Sequence, residues 1–190
     1  MPSISSLGFT WGAVGAVLAP SLILSLLPLP SQAIQLADGT VYFAYPPRLV
    51  EASSSFRTIR AWGATYFFTL AIPPNAGESL QRVTIALQQG GDPPDYKLQE
   101  SKAFEGTRWE QGKAIPLAPV VIDATSQTLS VVFNPPVEPG KTVTIALRPR
   151  ENPSLRGTYL FGVTAFPTGE KAYGQFLGFG RLTFTGGHRR

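Results

Sequence analysis

Short apolar runs bounded by proline or glycine recur along the chain from residue 34 onward. In residues 81–88 the apolar side chains Val83, Ile85 and Leu87 alternate with Arg, Thr and Ala, and residues 142–148 repeat the pattern. Side chains two apart on an extended strand share a face, so a period of two predicts strands with one buried face. No window of helical length carries an apolar stripe at helical spacing.

Eight such runs predict the regular structure, because β-branched and aromatic residues dominate them. They are residues 40–45, 65–72, 81–88, 120–122, 128–133, 142–148, 158–166 and 173–184. Proline, asparagine and glycine fill the connections, as expected of turns. Residues 53–62 are predicted to form a short helix or an irregular link. Strands at this spacing predict one antiparallel β-sandwich of immunoglobulin-like type over residues 34–190, with a small β-barrel as the alternative.

The first 33 residues differ from the rest of the chain. Residues 9–29 contain no charged side chain, and Ser31 and Ala33 provide the spaced small residues of a signal-peptidase site. We therefore predict an N-terminal signal helix that exports the protein and is cleaved between Ala33 and Ile34. Because no Lys or Arg precedes the apolar run, an uncleaved membrane anchor is the alternative.

The inventory of reactive side chains is narrow. The chain has no cysteine, which excludes disulfides, thiol catalysis and thiolate metal sites. Its single histidine, His188, lies close to the last residue, which leaves little room for histidine acid–base chemistry or metal ligation. Gly178 and Gly180 lie in a predicted strand with no following helix, so they predict a bulge or a close approach of strands rather than a phosphate loop. We predict no catalytic residue, no bound metal and no cofactor.

The net charge of +4 is unevenly distributed. Residues 34–140 carry eight basic and ten acidic side chains, whereas residues 141–190 carry eight basic and two acidic ones. We interpret the basic third as a solvated face with a charged end. A contact with an acidic partner or a lipid surface is the alternative. We predict no nucleic-acid partner, and membrane contact only through the leader if it is uncleaved.

Three residues are candidates for binding. Trp62 and Trp109 lie outside the strong strand patterns, close to Arg60 and Arg108 respectively. Each tryptophan is either part of the core or its rim, or a stacking platform for a sugar or another partner. Arg181 interrupts an otherwise apolar strand, so it either points to solvent or pairs with a carboxylate at a buried edge.

Acidic residues suggest two further kinds of site. Asp92, Asp95 and Glu100 would suit calcium through their oxygens, but the glycine and proline around them favour a solvated polar turn. Two carboxylates across a cleft would suit a glycosidase, which needs no histidine. None of the twelve acidic residues stands in a recognisable catalytic context.

Two stretches of the chain are similar to a known family. The first joins residues 66–70 (YFFTL) and 73–81 (PPNAGESLQ), and the second runs from residues 133–143 through 159–167 to 177–182. Together they resemble the cyanobacterial family catalogued as domain of unknown function 2808, over nearly all of the chain after the leader. The resemblance implies a small exported protein of the periplasm, cell surface or thylakoid lumen. It brings no activity, cofactor or catalytic residue with it.

These observations predict a non-catalytic binding or interaction module outside the cytoplasm. Its partner would be another protein or an envelope polysaccharide, met through exposed loops or sheet edges. A carboxylate-dependent hydrolase acting on an envelope polysaccharide is the first alternative, and a membrane-tethered protein with a retained anchor is the second. Trp62, Trp109 and Arg181 are the predicted binding residues.

Overall fold

A computed structural model describes residues 34–36 and 38–186 of the chain. In this part, the regular structure consists of thirteen strands and one 3₁₀ turn, Leu98–Glu100. Within the same residues, no helix has the length and apolar character needed to cross a bilayer. The leader, including Ala33, and the histidine His188 lie outside the described residues. Cleavage between Ala33 and Ile34 therefore stays a prediction.

The strands follow one another with short connections. In chain order they are β1 (Ile34–Gln35), β2 (Thr40–Tyr42), β3 (Arg48–Ser54), β4 (Tyr66–Ala71), β5 (Leu80–Gln89), β6 (Lys102–Gly106), β7 (Gln111–Ile115), β8 (Val121–Asp123), β9 (Thr128–Val137), β10 (Thr142–Leu147), β11 (Gly157–Pro167), β12 (Lys171–Ala172) and β13 (Gln175–Phe184).

Two five-stranded antiparallel sheets form the body of the protein. The first sheet has the order β3-β4-β10-β6-β7, and the second has the order β13-β11-β5-β9-β8. The orders β3-β4-β10-β6 and β13-β11-β5 reproduce the A-B-E-D and G-F-C arrangements of the immunoglobulin fold. Both sheets are open at their edges, so the predicted immunoglobulin-like β-sandwich is confirmed and the barrel alternative is wrong.

The hydrophobic core lies between the two sheets. Phe68 of β4 and Phe161 of β11 meet edge to face with their ring centres 5.8 Å apart. The rings of Tyr66 and Phe184 pack in a tilted arrangement with their centres 5.6 Å apart. Both pairs join one sheet to the other. Burying an aromatic or large aliphatic side chain stabilises a fold by about 1.5–3 kcal/mol. In a chain without cysteine, the Phe68–Phe161 pair joins the two strands that a disulfide joins in antibody domains.

The sequence prediction omits β3, β6 and β7 from the first sheet. The strand β7 is exposed along most of its length, and β3 lies at the edge of its sheet. An edge strand is held by backbone hydrogen bonds on one side and need not bury alternate side chains, so it leaves a weak pattern in the sequence. The helix alternative for residues 53–62 is wrong. β3 extends to Ser54, and an irregular link follows it.

The connections divide between two ends of the sandwich. Residues 55–65, 90–97 and 148–156 meet at one end, which we call the loop end, where Lys97 N donates to Arg148 O and Arg150 N donates to Asp95 O. The opposite end carries the small sheet of β1, β2 and β12. The described chain therefore begins at the end opposite to the loop end.

Candidate functional site

The loop end has a hydrogen-bonded backbone framework, organised around Asn152. This residue is buried, and its Nδ2 donates to the carbonyl oxygens of Phe56 and Thr58 at 3.0 and 2.8 Å. Its backbone N–H donates to Ala61 O at 2.9 Å, while Arg60 N donates to Pro153 O at 3.1 Å. One side chain thus fixes the link between β3 and β4 against the link between β10 and β11.

A second polar residue, Asp92, fixes the rest of the loop end. Its carboxylate accepts hydrogen bonds from Ser154 N at 2.8 Å and from the Tyr159 hydroxyl at 2.7 Å. Burial alone would raise the pKa of Asp92, but the hydrogen bonds from Ser154, Tyr159 and Leu155 outweigh it and hold that pKa below its usual value. Tyr159 Oη also lies 3.0 Å from Leu155 O, the tyrosine-corner contact of immunoglobulin domains.

Apolar side chains project outward from this framework. Trp62 is 77% exposed, Phe56 52% and Leu155 54%. Exposed apolar groups clustered on one surface are typical of interaction sites. Arg60, between the two aromatic residues in the chain, has a φ of +53°, a left-handed conformation that non-glycine residues seldom adopt and that often marks functional surfaces.

A second exposed tryptophan lies on the hairpin between β6 and β7. Trp109 is 76% exposed, and the Arg108 guanidinium carbon lies 4.2 Å from its ring centre. The same guanidinium carbon lies 4.9 Å from the ring centre of Phe67 in β4, and Arg108 Nη1 donates to Ser53 Oγ at 3.0 Å. We call Trp109, Arg108, Phe67 and Ser53 the hairpin platform.

Hydrogen bonds hold the hairpin against the outward face of the first sheet. Thr144 Oγ1 donates to Gly106 O at 2.7 Å and lies 2.9 Å from Thr69 Oγ1, and both threonines are buried. Gly106 has a φ of +88°, and a Cβ there would lie 2.2 Å from Glu110 O, so the turn requires glycine.

Arg181 lies on a third surface. It faces outward from β13, is exposed, and is paired in register with Leu160 of β11. The sequence allows Arg181 either to point to solvent or to pair with a carboxylate at a buried edge, and the structure shows it pointing to solvent. The exposed rings of Phe176 and Phe179 lie nearby on the same strand, with their centres 5.1 Å apart.

The three predicted binding residues therefore do not form one site. Trp62 belongs to the loop end, and Trp109 lies over the outward face of the first sheet. Arg181 lies on the outward face of the second sheet, on the other side of the sandwich.

A cleft of about 350 Å³ carries both signs of charge. It is lined by Glu105, Lys113, Glu138 and Lys141 together with Pro135 and Pro136, which follow the cis peptide bond after Asn134. Lys141 Nζ lies 2.7 Å from Glu105 Oε1. This hydrogen bond lowers the pKa of Glu105 and raises that of Lys141, so both groups stay charged at neutral pH.

The acidic residues weighed as calcium ligands serve as structural partners. Asp92 holds the turn at Ser154, Asp95 pairs with Arg150 at 2.7 Å, and Glu100 contacts Arg148 at 3.2 Å. In residues 34–36 and 38–186, no group of three or more His, Asp or Glu side chains is placed to hold a metal ion.

Comparison with known proteins identifies the family. Residues 40–184, which include both sandwich sheets, match the family described as "Protein of unknown function (DUF2808)". The chain belongs to this family. No curated protein matches it.

Solved structures similar to this DUF2808 chain are distant in sequence. An uncharacterized protein from Nocardia farcinica, described as revealing an immunoglobulin-like fold, is 14% identical with a TM-score of 0.44, over 70% of this chain and 96% of that one. The C-terminal domain of the Streptococcus pyogenes antigen I/II-family protein AspA is 12% identical with a TM-score of 0.43, over 71% and 46%. A collagen-binding domain from a Staphylococcus aureus adhesin is 10% identical with a TM-score of 0.35, over 64% and 86%. No functional conclusion follows from likeness at this level.

Two exposed residues of the DUF2808 loop end were not found by sequence reasoning. Phe56 and Leu155 are single apolar residues inside polar links, and isolated surface apolar residues are common. The available signal was the arginine content of the two links, to which the link of Leu155 adds proline. It becomes informative only once the fold places the two links side by side.

Proposed function

We propose that the protein is an exported, non-catalytic binding module that takes an envelope polysaccharide on the hairpin platform. The observation that carries the proposal is the geometry of Trp109, which keeps its ring 76% exposed while Arg108 stacks on it at 4.2 Å. An aromatic ring in this setting presents a flat apolar surface on which the C–H face of a sugar ring stacks.

The platform is organised before any ligand arrives. Arg108 contacts Trp109, Phe67 and Ser53, and Gln111 Nε2 donates to Arg108 O at 3.2 Å. Ordering a free side chain on binding costs about 0.5–1.5 kcal/mol, and a side chain held in advance avoids much of that cost. The guanidinium and the Ser53 hydroxyl supply polar groups for sugar hydroxyls next to the stacking surface.

Export is proposed from the sequence. The uncharged run at residues 9–29 and the small residues Ser31 and Ala33 support a leader cleaved before Ile34. Mass spectrometry of the native amino terminus tests this: a mature start at Ile34 excludes the membrane-tethered alternative, and an intact leader supports it. The periplasm, cell surface and thylakoid lumen are the compartments that such a leader reaches.

The hydrolase alternative receives less support from the geometry. Glu105 and Glu138 line the charged cleft, but a glycosidase needs one carboxylic acid whose pKa is raised so that it can give up a proton. Lys141 lowers the pKa of Glu105 instead. In the described part of the chain, the carboxyl groups with displaced pKa values are Asp38, Asp92, Glu105 and Asp123, and all are displaced downward.

Affinity measurements with isolated envelope polysaccharide test the proposed function. We expect Trp109→Ala to weaken binding at least about tenfold, since loss of an anchoring aromatic residue costs more than about 1.4 kcal/mol. The matched control is Phe179→Ala, an exposed aromatic residue on the other sheet, which should bind like the wild type. Undiminished binding by Trp109→Ala would overturn the proposal. Binding of a defined envelope protein, with no polysaccharide bound, would make the partner a protein.

A further inference from the structure

Three exposed arginines accompany the apolar side chains of the loop end. Arg57 and Arg60 lie on the link that carries Trp62, and Arg156 follows Leu155. The neighbouring Arg148 and Arg150 are neutralised by ion pairs with Glu100 and Asp95. Arg57, Arg60 and Arg156 belong to none of the four ion pairs found among the described residues. The acidic side chains of the same links outside the ion pairs are Asp92 and the exposed Glu151, which is bridged to Trp62. Basic side chains still outnumber acidic ones, so the loop end presents a net positive, partly apolar surface.

These side chains project from a common, hydrogen-bonded backbone. Asn152 joins the two links, as described above, and the last strand is joined to the same framework. Ile59 N donates to Thr185 O at 2.9 Å, and Thr185 N donates to Arg57 O at 2.8 Å.

Two uncharged-ligand candidates at the loop end, the Asn152 amide and the Asp92 carboxylate, are used internally. Both polar atoms of the Asn152 amide and both carboxylate oxygens of Asp92 accept or donate hydrogen bonds within the protein. Reading the hydroxyls of a sugar requires outward-facing polar groups of this kind. Tryptophan, phenylalanine and leucine flanked by arginines suit a different partner. Tryptophan concentrates at the membrane–water interface, and basic residues are attracted to anionic headgroups.

We propose that the loop end docks on an anionic lipid surface. Phe56, Trp62 and Leu155 enter the interfacial region, while Arg57, Arg60 and Arg156 contact the headgroups. This inference is independent of the polysaccharide platform. It goes beyond the sequence prediction, in which contact of the basic C-terminal third with a lipid surface is only an alternative and no docking residues are assigned.

Cosedimentation with vesicles tests the docking surface. The probes are vesicles of phosphatidylcholine alone and of phosphatidylcholine mixed with phosphatidylglycerol. The protein is purified from its native cells, so that its amino terminus is as processed there. We expect binding to the mixed vesicles only, weakened by added salt. The variant R57Q/R60Q/R156Q should bind about a hundredfold more weakly, since each basic residue near an anionic surface contributes about fivefold. The control R48Q/K113Q/R181Q removes the same charge from exposed positions elsewhere and should bind like the wild type.

Trp62 provides the second measurement. Trp62→Ala should weaken vesicle binding and Phe179→Ala should not. Brominated lipid should quench the fluorescence of a Trp109→Phe variant, which keeps Trp62, more than that of a Trp62→Phe variant. Near-wild-type unfolding curves would show that these exposed substitutions leave the fold intact.

Four results would overturn the proposal. If both triple variants lose vesicle binding equally, the net charge of the protein alone attracts it to the anionic surface. If the protein binds neutral vesicles and no variant changes that binding, a retained leader inserts into the bilayer. Absence of vesicle binding, or a Trp62→Ala variant that loses polysaccharide instead of vesicles, would assign the loop end to another partner. Because Trp109→Ala tests only the polysaccharide, either proposal can fail without the other.

Discussion

The Tyr66 hydroxyl donates a hydrogen bond to Asn152 Oδ1 at 3.0 Å, and both side chains are buried. Tyr66 belongs to the inter-sheet core, where its ring packs against Phe184. The other polar atom of the same amide, Nδ2, donates to the carbonyls of Phe56 and Thr58. One side chain therefore couples the core of the sandwich to the loop end.

We expect Asn152→Ala to lower the free energy of unfolding by about 3 kcal/mol, because it leaves two carbonyls and one hydroxyl without partners and each costs about 1–3 kcal/mol. Tyr66→Phe removes one hydrogen bond and should cost about 1 kcal/mol. Urea unfolding of both variants measures the difference. Equal losses would contradict a role for Asn152 in holding the loop end.

Asp92 should make the free energy of unfolding depend on pH in the acidic range. Its pKa in the folded protein lies below the ordinary 3.8, so its stabilisation is complete above that value and is lost as the pH falls through the folded pKa. Asp92→Asn should cost about 1–2 kcal/mol at neutral pH, through weaker hydrogen bonds from Ser154 and Tyr159. The free energy of unfolding of this variant should also fall less steeply on acidification than that of the wild type. Parallel pH curves for the two proteins would contradict this assignment.

Replacing each of the two buried threonines under the hairpin, Thr69 and Thr144, by valine should lower the free energy of unfolding by different amounts. The single hydroxyl proton of Thr144 goes to Gly106 O, so Thr69 is the donor in the bond between the two hydroxyls. Thr144→Val leaves both Gly106 O and the Thr69 hydroxyl unpaired and should cost about 2–3 kcal/mol, whereas Thr69→Val should cost about 1 kcal/mol or less. Chemical denaturation of the two isosteric variants provides the comparison, and a reversed order would show that the donor is assigned wrongly.

Gly180 marks a close approach of the two sheets. A Cβ there would lie 2.8 Å from Ala52 Cβ and 2.9 Å from Phe68 Cε1. Gly180→Ala should therefore destabilise the protein by about 1–3 kcal/mol through overpacking. Gly186→Ala, where a Cβ meets nothing within 4 Å, is the control and should leave thermal unfolding nearly unchanged. A stable Gly180→Ala variant would mean that the sheets separate easily at this point.

The elements that the sequence predicts well are those whose side chains alternate in burial. In β5 the predicted inward residues Val83 and Ile85 are fully buried, and the run at residues 142–148 corresponds to β10. The glycines of β13 also behave as predicted. Gly178 has a φ of +114° beside a register shift, and Gly180 is the close approach. Edge strands escape prediction because backbone pairing with a neighbour, rather than a local apolar pattern, determines them.

The candidate surfaces were predictable only as single residues. Trp62 and Trp109 draw attention in the sequence because each is a large aromatic residue close to an arginine. Their separation onto two surfaces follows from which links meet at the loop end and from the folding of the β6–β7 hairpin over the first sheet. Neither relationship is local in the chain.

By itself, the sequence determined the strand composition, the immunoglobulin-like class, the lack of disulfides and the family, since each depends on local patterns or residue types. Only the tertiary structure placed Phe56, Trp62 and Leu155 at one end of the sandwich and positioned Arg108 against both Trp109 and Phe67. The physical reason is that these contacts join residues far apart in the chain. Backbone hydrogen bonds around Asn152 and Thr144 bring them together only after the two sheets have packed.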